Sequence, residues 1–489
     1  MKFTRRSFLI GAALAGGSLS AATVLWRSAS AAESRDLQIP ELIDARSHGQ
    51  SLALKAQVGR TSFFPERQSV TLGYNGSYLG PTLRVHRGDD VEIAVTNSLG
   101  EDTSVHWHGL LIPGELDGGP HQIIRPTATW RPVLPIRQPA ATLWYHSHIH
   151  GHTAEQVYAG LAGLLIVTDD EEKALGLPSE YGVDDLPLIL QDRQFQDGSL
   201  VLPQGMMSIM HGRRGDTLTV NGTVNPVARV PRGLVRLRLV NGANARNFDL
   251  AFADDRSFHW IASEGGLLES PVERRSLTLA PGERAEILVD FSDGRPVTLE
   301  TGPDSSLPMM MGMMARASNQ VGAGRDLLVR FEPHGADMPV ARVPDKLVAH
   351  ERLDVSMAVR RRRFVMTMGM GMGGMMMGRG TGMLGINGHS FNMGRIDENV
   401  SLGDTEIWEV SGEMMAHPFH IHGVHFEVLS RNGSAPGIRD QGLRDTVVVQ
   451  EPVELLVRFS QPAVTAPFMY HCHILEHEDN GMMGQFAVR

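Results

Sequence analysis

The sequence predicts an all-β chain built from three related β-sandwiches, and three observations point there. Apolar and polar residues alternate in short runs punctuated by 53 glycines and 27 prolines in 489 residues, with few long helical stripes. One such run recurs three times, at residues 88–97, 233–241 and 403–410. A second recurs twice, at residues 279–292 and 449–460. An alternating run reads as a strand with one buried face, so three copies read as three sandwiches.

Taken in order, the chain opens with an export signal. Arg5 and Arg6 precede Ser-Phe-Leu, residues 10–26 are apolar but broken by glycines, and Ala29-Ser30-Ala31 is a small-x-small cleavage site. A basic start, apolar middle and such a site define a signal peptide over residues 1–31, and the paired arginines make it the twin-arginine type. The apolar run is too short and glycine-rich for an anchor, and no other stretch can span a bilayer. What remains accommodates three domains of roughly 150 residues: 35–170, 186–335 and 344–489. Acidic residues and Pro178 mark a linker near 169–185, and Pro333 to Pro344 mark another. The formal net charge of −10 argues against a nucleic-acid partner and mildly favours cations. A single cysteine excludes an intrachain disulfide, and outside the cytoplasm its thiol needs a metal or burial for protection.

The chemistry concentrates in residues 469–483, which include Cys472. Successive side chains on a strand point to opposite faces. His471 and His473 therefore share one face and Cys472 takes the other. Two metal sites can flank one strand, joined through three consecutive residues. His477 and Met482 follow downstream. A thiolate, imidazoles and a weak thioether make the donor set of a blue copper centre once a second histidine arrives from elsewhere. Residues 417–422, His-Pro-Phe-His-Ile-His, offer it. There His420 and His422 form another same-face pair, and His417, a short turn away across Pro418, can point elsewhere. His106 with His108 and His146 with His148 are two further pairs, so the four pairs provide eight imidazoles, enough for a second, multi-metal cluster. One His-x-His is usually an ordinary strand; four pairs, one with a cysteine wedged inside, are not. The middle domain holds no such pair and reads as a spacer.

Residues 366–383 are a methionine–glycine run, with smaller methionine patches at 206–210 and 309–314. Glycine at this density opposes helix and packed strand. Thioethers are soft donors that select Cu(I), and exposed methionines oxidise readily outside the cytoplasm, so Cu(I) capture is the expected role of the long run; for the two short patches it stands level with a flexible loop whose methionines fill gaps.

Together the histidine and cysteine motifs resemble the copper-binding signatures of the multicopper oxidases, over residues 35–489. The chain most resembles the bacterial periplasmic cuprous oxidases of copper efflux, which share the twin-arginine signal and a methionine-rich insertion. The resemblance implies cupredoxin-like Greek-key sandwiches, a periplasmic location, and four copper ions: one type 1, one type 2 and two type 3. It implies type 1 copper on His417, Cys472 and His477 with Met482 axial, and type 2 copper on His106 and His420. One type 3 ion falls to His108, His146 and His473, the other to His148, His422 and His471. Asp117 and Glu478 match two acids that serve oxygen reduction. An additional substrate copper matches Glu413, Met415 and Met368, with Glu413 standing where the family has aspartate; a further family aspartate falls on a glycine near Gly373. The insertion is also shorter than usual there and lacks histidines. His150 is expected to support the cluster, while His121, His152 and His425 stay unassigned.

The implied activity is oxidation of Cu(I) to Cu(II) coupled to four-electron reduction of O2 to water, for copper tolerance. The alternatives are a laccase-like phenol oxidase and a non-catalytic copper-sequestering protein. The expected partners are Cu(I) and O2, with phenols as the other reductant class; no nucleic acid and, once the signal is removed, no membrane. A monomer is expected.

Overall fold

The computed structural model describes residues 34–306, 325–337, 342–369 and 384–489. The export signal, the patch at 309–314 and the methionine run from residue 370 onward lie outside the described residues. The regular structure of the described chain is mostly strand, in six sheets that pair into three sandwiches. Strand order within the sheets is non-sequential, so connections cross between the two layers in Greek-key fashion. Three separate apolar cores result, around Trp107, Trp260 and Trp408.

The repeats occupy equivalent places. Asp90–Asn97, Leu234–Asn241 and Thr405–Gly412 each run parallel to one long strand: Ser51–Phe64, Asp185–Gln196 and Ala358–Met368 respectively. The second repeat pairs antiparallel with the first, Arg284–Asp290 on Leu234–Asn241 and Val453–Arg458 on Thr405–Gly412. The alternation is plainest in Ser51–Phe64, where Leu52, Leu54 and Ala56 are buried between exposed neighbours. Arg35–Asp36 adds to the middle sandwich, pairing with Pro226 and Val227.

Two expectations need correcting. Pro333 does not open a linker; it lies inside the strand Asp326–Asp337. Its antiparallel neighbour ends at Val297 opposite Phe331, so Pro333 is paired on one side alone, with Val230 in parallel register. The strand Leu234–Asn241 is buried on both faces rather than one. Arg236 and Arg238 are sealed from water and paired with Glu172, Asp185 and Glu286. Thr142 of the first sandwich joins them, donating to Glu286 at 2.6 Å and accepting from Arg238 at 2.9 Å. An alternating Leu/Arg strand looks solvent-faced in sequence; here the arginine face is an inter-domain contact. Among the described residues no helix is long and apolar enough to cross a membrane.

Candidate metal centres

The third sandwich sets the geometry. In the strand Ala463–Cys472, Phe419 lies opposite Cys472 and His420 opposite His471 on His417–Ile421. His417 needs no turn to point away from His420, because positions 417 and 420 of that continuous strand already face opposite sides. Cys472 Sγ lies 3.5 Å from His417 Nδ1 and 3.5 Å from His477 Nδ1. Each ring is fixed from behind: His417 Nε2 donates to the Glu413 carbonyl at 3.1 Å, and His477 Nε2 to the Met210 carbonyl at 3.2 Å. Those bonds place the protons outward and leave both Nδ1 lone pairs facing the sulfur. Met482 is fully buried in the same core, and its backbone bridges the trio, its carbonyl accepting from Cys472 N and its amide donating to His477 O. Burial pushes the Cys472 thiol up and the 3.4 Å contact from the Ile474 amide offsets this only in part; a metal cation would supply the charge a thiolate needs here.

On the other face, the eight remaining pair histidines converge at the junction of the first and third sandwiches, all buried. His106 lies opposite His146 on paired strands. Two sets of three nitrogens gather closely, His108 with His146 and His473, and His148 with His422 and His471. In the second set the Nε2 atoms are 3.1 to 3.3 Å apart. His106 stacks on His422 at 3.8 Å and His108 on His420 at 3.7 Å. Burial, followed by mutual repulsion, holds His148, His422 and His473 well below the usual imidazole range, so they are neutral donors. His106 Nε2, His420 Nε2 and both His473 nitrogens are buried with no hydrogen-bond partner among the described residues. Each such atom costs about 1–3 kcal/mol unless something binds it. Neutral, converging, unpartnered imidazole nitrogens fit copper.

Carboxylates hold the outer nitrogens. Asp117 Oδ2 accepts from His422 Nδ1 at 2.7 Å and lies 3.3 Å from His106 Nδ1. Its loop turns at Gly118, φ 80°, where a Cβ would meet the Val105 carbonyl oxygen at 1.7 Å. Glu478 spans two rings, 3.3 Å from His148 Nδ1 and 3.3 Å from His471 Nδ1. Burial and then Asp479 push its carboxyl well above the ordinary range, which favours its protonated form.

Sequence reading missed Asp445 and Arg284. Asp445 Oδ1 lies 3.1 Å from His108 Nε2, and its carbonyl accepts from His420 Nδ1 at 2.9 Å. Burial alone would raise its pKa; Arg284 and then His108 outweigh that and keep it well below the carboxylate range. Arg284 binds both its oxygens at 2.6 and 2.7 Å. Arg284 comes from the middle sandwich, as does Gly282, φ 85°, where a Cβ would stand 2.9 Å from the His473 ring. The middle unit is therefore no mere spacer. It also supplies Asn244 and Arg213, which hold Glu476 at 2.8 and 3.0 Å beside His477. A charged residue inside the alternating repeat at 279–292 was the one available signal.

The remaining expectations divide. Met368 and Met415 are buried, while Glu413 is exposed and its Oε2 accepts from Met368 N at 3.2 Å. Gly373 lies outside the described residues. His150 does not support the cluster; it is exposed, with its ring against Phe391 at 5.1 Å. His121 bonds Gln485 at 2.8 Å, His152 is exposed near Glu155, and buried His425 donates to the Gly109 carbonyl at 3.1 Å.

Comparison with known proteins points to one family. Family profiles described as multicopper oxidase match residues 56–172 and 361–489. The Cell division protein FtsP of Xenorhabdus nematophila is 39% identical over all of this chain and 99% of its own length, and that of Escherichia coli K12 is 38% identical with the same coverage. Among solved structures, the laccase-like multi-copper oxidase CueO of Ochrobactrum sp. superposes with a TM-score of 0.83 at 40% identity, covering 93% of this chain and 100% of its own. A multicopper oxidase from Campylobacter jejuni, described as a metallo-oxidase, gives 0.79 at 28% identity, covering 93% and 95%.

Proposed function

The chain belongs to the multicopper oxidase family, and from that premise we propose that it is an exported oxidase that uses O2 to oxidise Cu(I). One observation carries the reading: the Cys472 sulfur faces His417 and His477 while its two chain neighbours, His471 and His473, enter the eight-imidazole cluster. The distance groupings support type 1 copper at His417, Cys472 and His477, with Met482 buried in the same core as the axial donor. They support two type 3 ions at His108, His146, His473 and at His148, His422, His471. His106 and His420, grouped with His108, suit the type 2 ion. When bound, such coppers store single electrons and deliver four to one O2.

The protein's own residues orient and supply protons. The Glu413 and Met210 carbonyls fix the His417 and His477 tautomers. The Cys472 backbone makes the covalent link to His471 and His473. Glu478, its carboxyl pushed up by burial and 3.3 Å from two rings, is placed to donate protons where oxygen is reduced. Asp117 holds His422 and His106 from behind and is the second acid. Glu413, Met415 and Met368 form the Cu(I) docking place beside His417. Arg5 and Arg6 direct twin-arginine export to the periplasm, and copper tolerance is the physiological purpose.

Oxygen uptake by the copper-loaded protein with Cu(I), Fe(II) and a phenol decides among the readings. Cu(I) as best reductant supports this one; a phenol as best reductant makes it laccase-like; no uptake leaves a copper-binding protein. Deleting residues 370–383 should slow Cu(I) oxidation severalfold while phenol oxidation persists, and unchanged Cu(I) kinetics would remove the run's capture role. The FtsP relatives favour a second reading, a part in cell division. A division defect on gene deletion that a Cys472→Ser copy rescues would favour it over the oxidase.

A further inference from the structure

The short helix Met206–His211 lies outside both centres yet touches one. Met210 is buried in the core of the third sandwich and Ile209 packs against it, so the helix is anchored there. The Met210 carbonyl accepts the His477 Nε2 proton at 3.2 Å. Burial and then His417 hold the basicity of His477 down, and Arg214 and His211 lie near enough to add to this. The helix nevertheless leaves Met206 60% and Met207 59% exposed, so these thioethers are not spent on packing.

Met207 and His211 are four residues apart and share a helix face, and helical side chains lean toward the N-terminus, carrying the His211 ring back toward the Met207 turn. His211 Nδ1 is sealed from solvent and has no hydrogen-bond partner among the described residues. A structural histidine is normally satisfied. An unpartnered buried nitrogen one helical turn from an exposed thioether offers a donor pair for a soft metal. Imidazole with thioether suits monovalent copper.

We infer that Met207 and His211 form a cuprous-ion docking site over His477, separate from Glu413, Met415 and Met368 beside His417. Each imidazole of the trio then has its own docking place. The site's use as an electron entry rests on the oxidase reading; its binding of a soft cation does not. With copper held by His417, Cys472 and His477, the electron lost as Cu(I) becomes Cu(II) would have a path through the Met210 carbonyl and the His477 ring, and that copper, in its oxidised form, would be the acceptor.

The test uses the full exported chain, copper-loaded, with methionine methyls labelled and Ag(I) as a probe that the oxidase cannot turn over. The methyl signal missing in Met207→Leu identifies that residue. It should shift on adding about one Ag(I) per chain, and the same shift should vanish in His211→Gln. The KM for Cu(I) should rise severalfold in both variants, with the blue absorbance retained as proof of folding. An unmoved Met207 methyl, or one that moves equally in His211→Gln, overturns the site. A colourless but Ag(I)-responsive protein would sink the oxidase reading and leave this site standing.

Discussion

The two candidate centres share one strand and are held in different ways. The trio around Cys472 draws every donor from residues 417–482, and its rings are fixed by the carbonyls of Glu413 and Met210. The eight-histidine cluster draws half its donors from residues 106–148 and half from 420–473, and carboxylates lie against six of its rings. One of these, Asp445, is neutralised by Arg284 from the middle sandwich. The trio's donors depend on local alternation, and the middle sandwich adds one carbonyl, that of Met210, behind His477. The cluster depends on three sandwiches being docked, so damage at a distant interface should separate the two.

The largest effect should come from the link itself. Cys472→Ser removes the blue absorbance and lowers turnover by about a thousandfold or more, since a hydroxyl is not a soft donor. Metal analysis should still find copper in the histidine cluster. A blue, active variant would end the comparison.

The converse break is Arg284→Met, which keeps the aliphatic stem and leaves Asp445 buried and unpaired. Removing one partner of a buried ion pair costs about 3–5 kcal/mol. Denaturant unfolding should show that loss, and spectroscopy should show the blue centre kept and the cluster copper depleted. Equal loss from both sites would mean that they are one cooperative unit.

Glu478→Gln sharpens the contrast within the cluster. The amide keeps the size and loses the transferable proton, so oxygen turnover should fall about a hundredfold with copper content unchanged. If turnover is unchanged, Glu478 is structural.

The smallest effect concerns His425, which is no donor to either site. Burial lowers its pKa from 6.5 to about 4. Between those values the unfolded chain binds the proton and the folded one does not, so stability falls as pH drops through that window. The full loss is about 3 kcal/mol below pH 4, and none occurs above pH 7. His425→Gln should flatten that part of the stability profile, measured by unfolding at a series of pH values.

How much the sequence disclosed follows the same division. Cys472, the eight paired histidines, His417 and His477 were readable because strand period is local, and the repeats at 88–97, 233–241 and 403–410 did become equivalent strands. Asp445, Arg284 and the Met210 carbonyl were not readable. They act across interfaces between segments far apart in sequence, and a backbone carbonyl has no residue signature. Arg236 and Arg238 misled for the same reason: alternation shows that a strand has two unlike faces, not that both are covered. His150 shared the spacing of His146 and His148, but the strand Ala141–His146 ends before it and the chain turns away.

The central claim is that one thiol joins two copper centres. It is tested most directly by copper analysis together with the visible spectrum of the exported, copper-loaded chain. The account predicts about four ions per chain and an intense blue band that disappears with Cys472→Ser. About one ion per chain, or a full complement with no cysteine-dependent band, would contradict it.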